Sequence, residues 1–273
     1  MYVNDYIIYN GEPIIEFRLK YLNDYVNLFI IAESIYTHSG KKKDNFYFNI
    51  NKDIFEPYIK KIFFYSIDNL PTETDCLNIR KNNILYENKD SWINEVYQRD
   101  KIQQILTKTK YFKPYIIFVC DVDEIPKKEL YINIKNDYEL LHEGAHIEML
   151  LLNYGFKWKK ENCIWRHPFV ISDKGCKNLS FSNVRLIRTE KTYNNSGWHI
   201  TSCFKIDDII RKLESFAHTE YNIDKYKNKE YLLKCIKDGK NIYNENEQYI
   251  ETEEKELPDN YTEFQKKIDN FFL

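Results

Sequence analysis

The chain has 273 residues, of which 43% are hydrophobic and 16% aromatic, and a net charge of −2. That apolar content supports a packed core and excludes wholesale disorder. The near-balanced charge excludes a partner captured by a broad basic field, such as nucleic acid; Lys41-Lys42-Lys43 alone reads as a solvated loop. The six cysteines are scattered and include no Cys-x-x-Cys pair, so reduced thiols are expected rather than a zinc knuckle. No cationic leader with an apolar run opens the chain, and no stretch reaches membrane-spanning length. A soluble, cytoplasmic protein is the expectation.

Taken in order, short apolar runs alternate with helical periodicity. Tyr6–Tyr9 reads as a strand ended by the turn dipeptide Asn10-Gly11. Residues 16–22 read as a helix through Phe17, Leu19 and Leu22. Val26–Ala32 is a buried strand running into Glu33-Ser34, and Ile62–Tyr65 is another. Trp92–Thr107 has helical spacing at Trp92, Val96, Ile102 and Leu106. Tyr115–Cys120 is a third strand of the same buried type.

The later part reads differently. Ile147–Tyr154, Cys163–Ile171 and Val184–Arg188 look like strands, with Phe156 and Trp158 between the first two. Ile206–Phe216 and Lys229–Lys237 look helical, the second stopped by Gly239. Residues 245–256 read as an acidic surface loop, and 260–272 as a closing amphipathic helix with Phe264, Ile268 and Phe271 or Phe272 inward. Alternating strands and helices imply an α/β fold whose central sheet is mostly parallel, with helices around it and a smaller antiparallel addition at 147–188. No repeat or Pro/Gly/Ser linker divides the chain, so residues 1–273 are expected to form a single domain.

The most informative run is Tyr115-Ile-Ile-Phe-Val-Cys-Asp-Val-Asp-Glu-Ile-Pro126. A buried strand ends at Asp121, Asp123 and Glu124, and open α/β sheets bind ligands just beyond their strands' carboxyl ends. Clustered carboxylates repel one another, so a balancing cation is expected. A divalent metal carrying a phosphate group suits hard oxygen ligands. Two enzyme classes share the pattern: a nucleotide-sugar transferase, and a haloacid-dehalogenase-type phosphotransferase with Asp121 as nucleophile and Asp207-Asp208 as the late acidic pair. A carbohydrate-binding protein without turnover is a third reading.

Six blocks in this order resemble glycosyltransferase family 17. They are Asn10-Gly-Glu-Pro-Ile-Ile-Glu-Phe-Arg-Leu19, Phe29-Ile-Ile-Ala-Glu-Ser-Ile-Tyr-Thr-His-Ser-Gly40, Tyr97-Gln98-Arg99, Asp121-Val-Asp-Glu-Ile-Pro126, Asn153-Tyr-Gly-Phe-Lys-Trp158, and Ser196-Gly-Trp-His199 followed by Lys212-Leu213. The resemblance implies a GT-A-like fold and a UDP-sugar donor, UDP-N-acetylglucosamine in characterised members. It also implies Mn²⁺ or Mg²⁺, a glycan acceptor and inversion at the anomeric carbon. Residues 1–130 would then be the nucleotide-sugar half, and 131–273 the acceptor side with closing helices. Animal members carry a membrane anchor that this sequence does not show, so location and acceptor do not transfer.

Within that resemblance each candidate residue takes an expected role. Asp123 is expected to bind the metal directly, Asp121 to reach the metal, its water or the ribose, and His199 to complete coordination. Arg99 would clamp a phosphate or the base, and Glu33 with Thr37 would contact uridine. Trp198, on a flexible Gly-Trp-His turn, would stack on a sugar face, with core packing as its rival. His218 and Glu220 would add to the pocket. Inverting transfer needs a base, for which Glu124, Asp208 and Glu220 are the leading candidates; Asp207 and Glu148 also compete. Tyr154, Phe156 and Trp158 read as core or acceptor-side aromatics.

Overall fold

The computed structural model describes residues 1–82, 90–108, 114–176, 179–186 and 189–271. Twelve strands follow in chain order: β1 Tyr2–Ile8, β2 Leu28–Ser34, β3 Ile62–Ile67, β4 Tyr115–Asp121, β5 Glu124–Pro126 and β6 Ala145–Ile147, then β7 Met149–Asn153, β8 Trp158–Trp165, β9 Phe169–Ser172, β10 Thr192–Tyr193, β11 Gly197–Thr201 and β12 Ile250–Glu251. Seven form a central sheet in the order β10-β6-β9-β4-β1-β2-β3. The block β4-β1-β2-β3 is parallel throughout, while β9 runs antiparallel to both β4 and β6. The other five form a second sheet, β12-β8-β7-β11-β5, which is antiparallel except between β7 and β11. This is the mostly parallel α/β sheet with an antiparallel addition that the pattern implied, compatible with a GT-A-like fold.

The central parallel strands β2 and β4 are buried on both faces, which explains their apolar runs. All seven residues of β2 are buried, and in β4 only the terminal Asp121 is not. Alternate side chains serve different cores. Ile7, Phe29, Ile31, Ile116 and Phe118 pack with Met149, Leu152, Trp198 and Ile200 from the second sheet. Tyr6, Ile30, Ile117 and Val119 face Tyr97, Ile102 and Ile105 on the opposite side.

Register brings the functional edge together. Ile8 pairs with Asp121 on one side and Ala32 on the other, so the carboxyl ends of β1, β2 and β4 lie side by side. Immediately past Asp121 the chain enters β5 of the second sheet, where Glu124 pairs with His199 of β11. Beneath this turn lies Arg18, fully buried on the helix Ile15–Leu22. It is bidentate to Asp5 at 2.8 and 2.7 Å and donates to the carbonyl oxygens of Asp121 (2.9 Å) and Glu124 (2.6 Å). The turn is therefore pinned from below by a charged group that itself needs those acceptors.

Several sequence expectations are corrected. The run 147–154 is divided at Glu148, with β6 in the central sheet and β7 in the second. The run 163–171 is interrupted at Arg166-His167-Pro168, with β8 and β9 again in different sheets. Continuous apolar character cannot mark where a chain changes sheet. Of the span 184–188 read as a strand, Val184 ends the helix Phe181–Val184, capped by Ser180, residues 185 and 186 form a turn, and residues 187 and 188 lie outside the described residues. The helix over 92–107 is broken at Lys101 into Asp90–Asp100 and Ile102–Lys108. Gly197-Trp198-His199 is not a flexible turn but strand β11. The acidic stretch 245–256 contains β12 and a short 3-10 turn, Glu254–Glu256.

The helices Ile206–Ser215, Lys229–Asp238 and Tyr261–Asp269 stand close to their expected bounds, and Gly239 caps the second at φ 66°. All six cysteines are free thiols. Among the described residues no helix is long and apolar enough to cross a membrane. Replacing Arg18 with Met would strand the buried Asp5 carboxylate. Arg18→Met is expected to lose about 3–5 kcal/mol of unfolding free energy, read as a lower urea midpoint.

Candidate active site

At the carboxyl edge of the parallel strands lies a cavity of about 650 Å³, lined by both sheets and by the helices Asp90–Asp100 and Ile206–Ser215. Asp121, at the end of β4, projects into it and is 35% exposed. Its two oxygens are each held by a guanidinium, Arg99 at 3.0 Å and Arg185 at 2.8 Å. Glu124 is 0% exposed. Its carboxylate accepts two bonds from Arg185 at 2.8 Å, one from the Trp165 indole and one from the Asp121 amide, both at 2.6 Å. The cation that the clustered carboxylates required is thus present for two of them, and it is arginine.

Asp123 lies on the other side of the turn. Its carboxylate faces the His199 Nε2 at 3.5 Å, and both side chains are largely buried. Strand β11 delivers His199 to this wall, tied by the Ile200 amide donating to the Asp123 carbonyl at 2.8 Å. The His199 ring leans on Trp165 with centroids 4.2 Å apart, and its Nδ1 is buried without a hydrogen-bond partner among the described residues.

Charge at this edge follows from those contacts. Burial alone would raise the Asp121 pKa, but Arg185 and then Arg99 outweigh it and hold the group well below the usual carboxylate range. Asp123 is also held low, because His199 and then Lys212 overcome its burial. Glu12, just past β1 on the same wall, goes the other way. Burial pushes it up to about 7, further than the Asn10 amide at 2.7 Å and Lys212 pull it down. His38 is lowered by burial against the opposing pull of Glu95, which favours a neutral imidazole at neutral pH.

The cavity brings together Arg99, Asp121, Asp123, His199 and His218 from the expected set, and Tyr154 of the expected aromatics lines it too. The others sit elsewhere. Glu33 is fully buried and accepts from the Lys43 ammonium (2.6 Å) and the amides of Tyr47 and Phe48 (2.6 and 2.9 Å), so it caps the helix Tyr47–Ile50. Lys43 is thereby buried rather than part of a solvated lysine run. Thr37 holds its own turn through Ser39 and the Lys41 amide.

Trp198 is 3% exposed and points away from His199, as neighbours on a strand must. Its indole donates to the Glu256 carbonyl at 2.7 Å, and it lines a separate cavity of about 520 Å³ beside Tyr21. Glu220 is half exposed and paired with His218 at 2.8 Å, whose ring stands edge-on to Trp92. Asp208 pairs with Arg211 at 3.2 Å, Asp207 with Lys229 at 2.6 Å and Glu148 with Arg166 at 2.7 Å, all outside the cavity lining. The late acidic pair of the phosphotransferase reading is therefore not assembled beside Asp121.

Residues the sequence did not single out complete the wall: Arg185, Glu12, His38, Glu95 and Lys212. Glu12, His38 and Lys212 lie inside the recognised blocks, which was the available signal. Arg185 fell in a stretch read as a strand.

A metal must be weighed against this donor set. Among the described residues, no group of three or more His, Cys, Asp and Glu side chains could hold an ion alone. Asp121 has both oxygens committed to arginines. Asp123 and His199, however, are 3.5 Å apart, near the ~3 Å expected between adjacent donors of an octahedral ion. Such ions commonly take one or two protein ligands and complete their shell with substrate phosphates and water. The pair fits that arrangement.

No curated protein matches the chain. The family model for glycosyltransferase family 17 matches residues 2–262, nearly its whole length. The chain belongs to glycosyltransferase family 17.

Proposed function

We propose that this glycosyltransferase moves a sugar, N-acetylglucosamine by family resemblance, from a UDP-sugar to a glycan hydroxyl with inversion. The observation that carries the reading is the Asp123–His199 pair, facing a cavity at the carboxyl edge of the parallel sheet beside Asp121 and its two arginines. In this reading Asp123 and His199 hold Mn²⁺ or Mg²⁺ together with the donor diphosphate. When bound, the ion neutralises and orients that diphosphate.

The chain's own groups supply the rest. Arg99 and Arg185 keep Asp121 ionised and fixed in direction, so it can accept from the ribose or from a water. Glu124, with its oxygens engaged, is a support for that turn rather than a base. Transfer forms a bond from the acceptor oxygen to the anomeric carbon as the bond to the β-phosphate oxygen breaks. The electron pair leaves with UDP, and the hydroxyl proton must be taken up. Glu12 is the cavity carboxylate without an ion-pair partner among the described residues, and a base works best when its pKa lies near the working pH. Elsewhere on the cavity wall, Tyr221 and Tyr243, stacked on each other with centroids 4.2 Å apart, offer ring faces to an acceptor glycan.

A thermal-shift screen of UDP-sugars with and without Mn²⁺ tests the donor and the metal together. The true donor must raise the melting temperature, and more so with metal. Asp123→Ala is expected to abolish the metal-dependent part of that shift and lower UDP release by about 100-fold or more, with the far-UV circular dichroism unchanged. Normal UDP release from the variant would remove Asp123 from the site.

Glu12 makes a prediction of opposite sign for activity and stability. Wild-type kcat/KM should rise with pH through about 7, and Glu12→Gln should lose on the order of 10²–10⁴ in rate along with that limb. A carboxyl raised in the fold from 4.5 to about 7 contributes stability below pH 4.5 that is lost as pH climbs through 7. Glu12→Gln should therefore melt above wild type at pH 8, with the gap closing toward pH 4.5.

A further inference from the structure

Among the described residues, two lysines line the cavity, Lys160 and Lys212. Lys160 is ion-paired with Glu247. Lys212, half-buried on the helix Ile206–Ser215, differs: among the described residues its ammonium has neither an ion pair nor a hydrogen bond, and its one recorded contact is the ring of Phe204 at 5.2 Å. The other full cations on this wall are committed, Arg99 to Glu95 and Asp121, and Arg185 to Asp121 and Glu124. A lysine near a helix carboxyl end can serve the helix dipole while pointing to water. This one is turned into the cavity, where its charge bears on Asp123 and Glu12. An ammonium that faces a cavity with no partner of its own among the described residues is free to take up an anion. An anion arriving beside Asp123 and His199 would meet that charge.

We infer that Lys212 is a catalytic residue, its ammonium donating to the departing diphosphate of the donor. This rests on the UDP-sugar reading above. As the anomeric carbon–oxygen bond breaks, the bonding pair stays on the β-phosphate oxygen and negative charge grows there. The acceptor oxygen takes the vacated bond, its proton passing to the base. Lys212 keeps its own proton throughout. It strengthens an existing hydrogen bond as the charge develops, so its effect falls on the transition state more than on donor binding.

The test uses the full chain with Mn²⁺, comparing wild type, Lys212→Met and Lys212→Arg. Calorimetric titration with UDP and with uridine is joined to steady-state UDP release from the donor that the screen identifies. Lys212→Met is expected to lose about 100-fold in kcat with little change in donor KM, to weaken UDP roughly tenfold, and to leave uridine binding unaltered. Lys212→Arg should recover part of both losses, and melting temperatures should agree across the three proteins. Unchanged UDP affinity and kcat in Lys212→Met, with wild type still binding UDP, would overturn the assignment and leave the transferase reading standing. Equal weakening of UDP and uridine, or a loss that tracks a lowered melting temperature and is not recovered by Arg, would mark the lysine as structural. Wild type that binds neither UDP nor uridine would overturn both readings at once.

Discussion

Two arginines hold the carboxylates at the end of β4, and the rest of the site depends on that arrangement. Asp121 and Glu124 are three residues apart on a tight turn between two sheets, where burial disfavours their charged forms. Arg185 spans both and Arg99 completes Asp121. Paired in this way, Asp121 stays ionised in a partly dry place and both carboxylates keep their direction. Arg18 does the same for the backbone of the turn from below, with Asp5 as its own counter-charge. Removing any one guanidinium would take a charged donor from a carboxylate of this cluster or from the carbonyl groups of the turn, so each layer supports the other.

That neutralisation divides labour among the clustered carboxylates. Asp121 and Glu124 already have cations, whereas Asp123 faces only a histidine and the charge of Lys212. In the proposed reading, the position with the least committed charge is where the metal and diphosphate would enter. Glu12 sits on the same wall with its proton held up to about 7. In the proposed reading, one edge of the sheet then offers a cation for the diphosphate, two ligands for a metal and a titratable carboxyl, the parts that displacement at a sugar phosphate asks for.

The second sheet explains how the block Gly197-Trp198-His199 divides between the cavity wall and the core. As a strand it sends consecutive side chains to opposite faces. His199 goes to the Asp123 wall and Trp198 to the core and the Glu256 carbonyl. Reading the glycine as a sign of flexibility missed this. Its role is steric, since a Cβ at Gly197 would lie 2.8 Å from the Ile125 carbonyl oxygen across the β5–β11 pair.

The sequence by itself determined the parallel half of the fold, the family, and the point at which a buried strand ends in carboxylates. Those features are written in contiguous residues: apolar runs, an abrupt change to charge, and blocks in a set order. Only the tertiary structure decided which charges meet. Arg185 reaches Asp121 across 64 positions and Arg18 reaches Glu124 across 106, and no local period records such pairings. The same holds for Glu33 and Trp198, whose expected ligand contacts gave way to a helix cap and a core position. The course of 145–172, alternating between the two sheets, was hidden for a related reason. A residue buried in either sheet has the same apolar character, so hydrophobicity along the chain tells that a strand is covered but not by what.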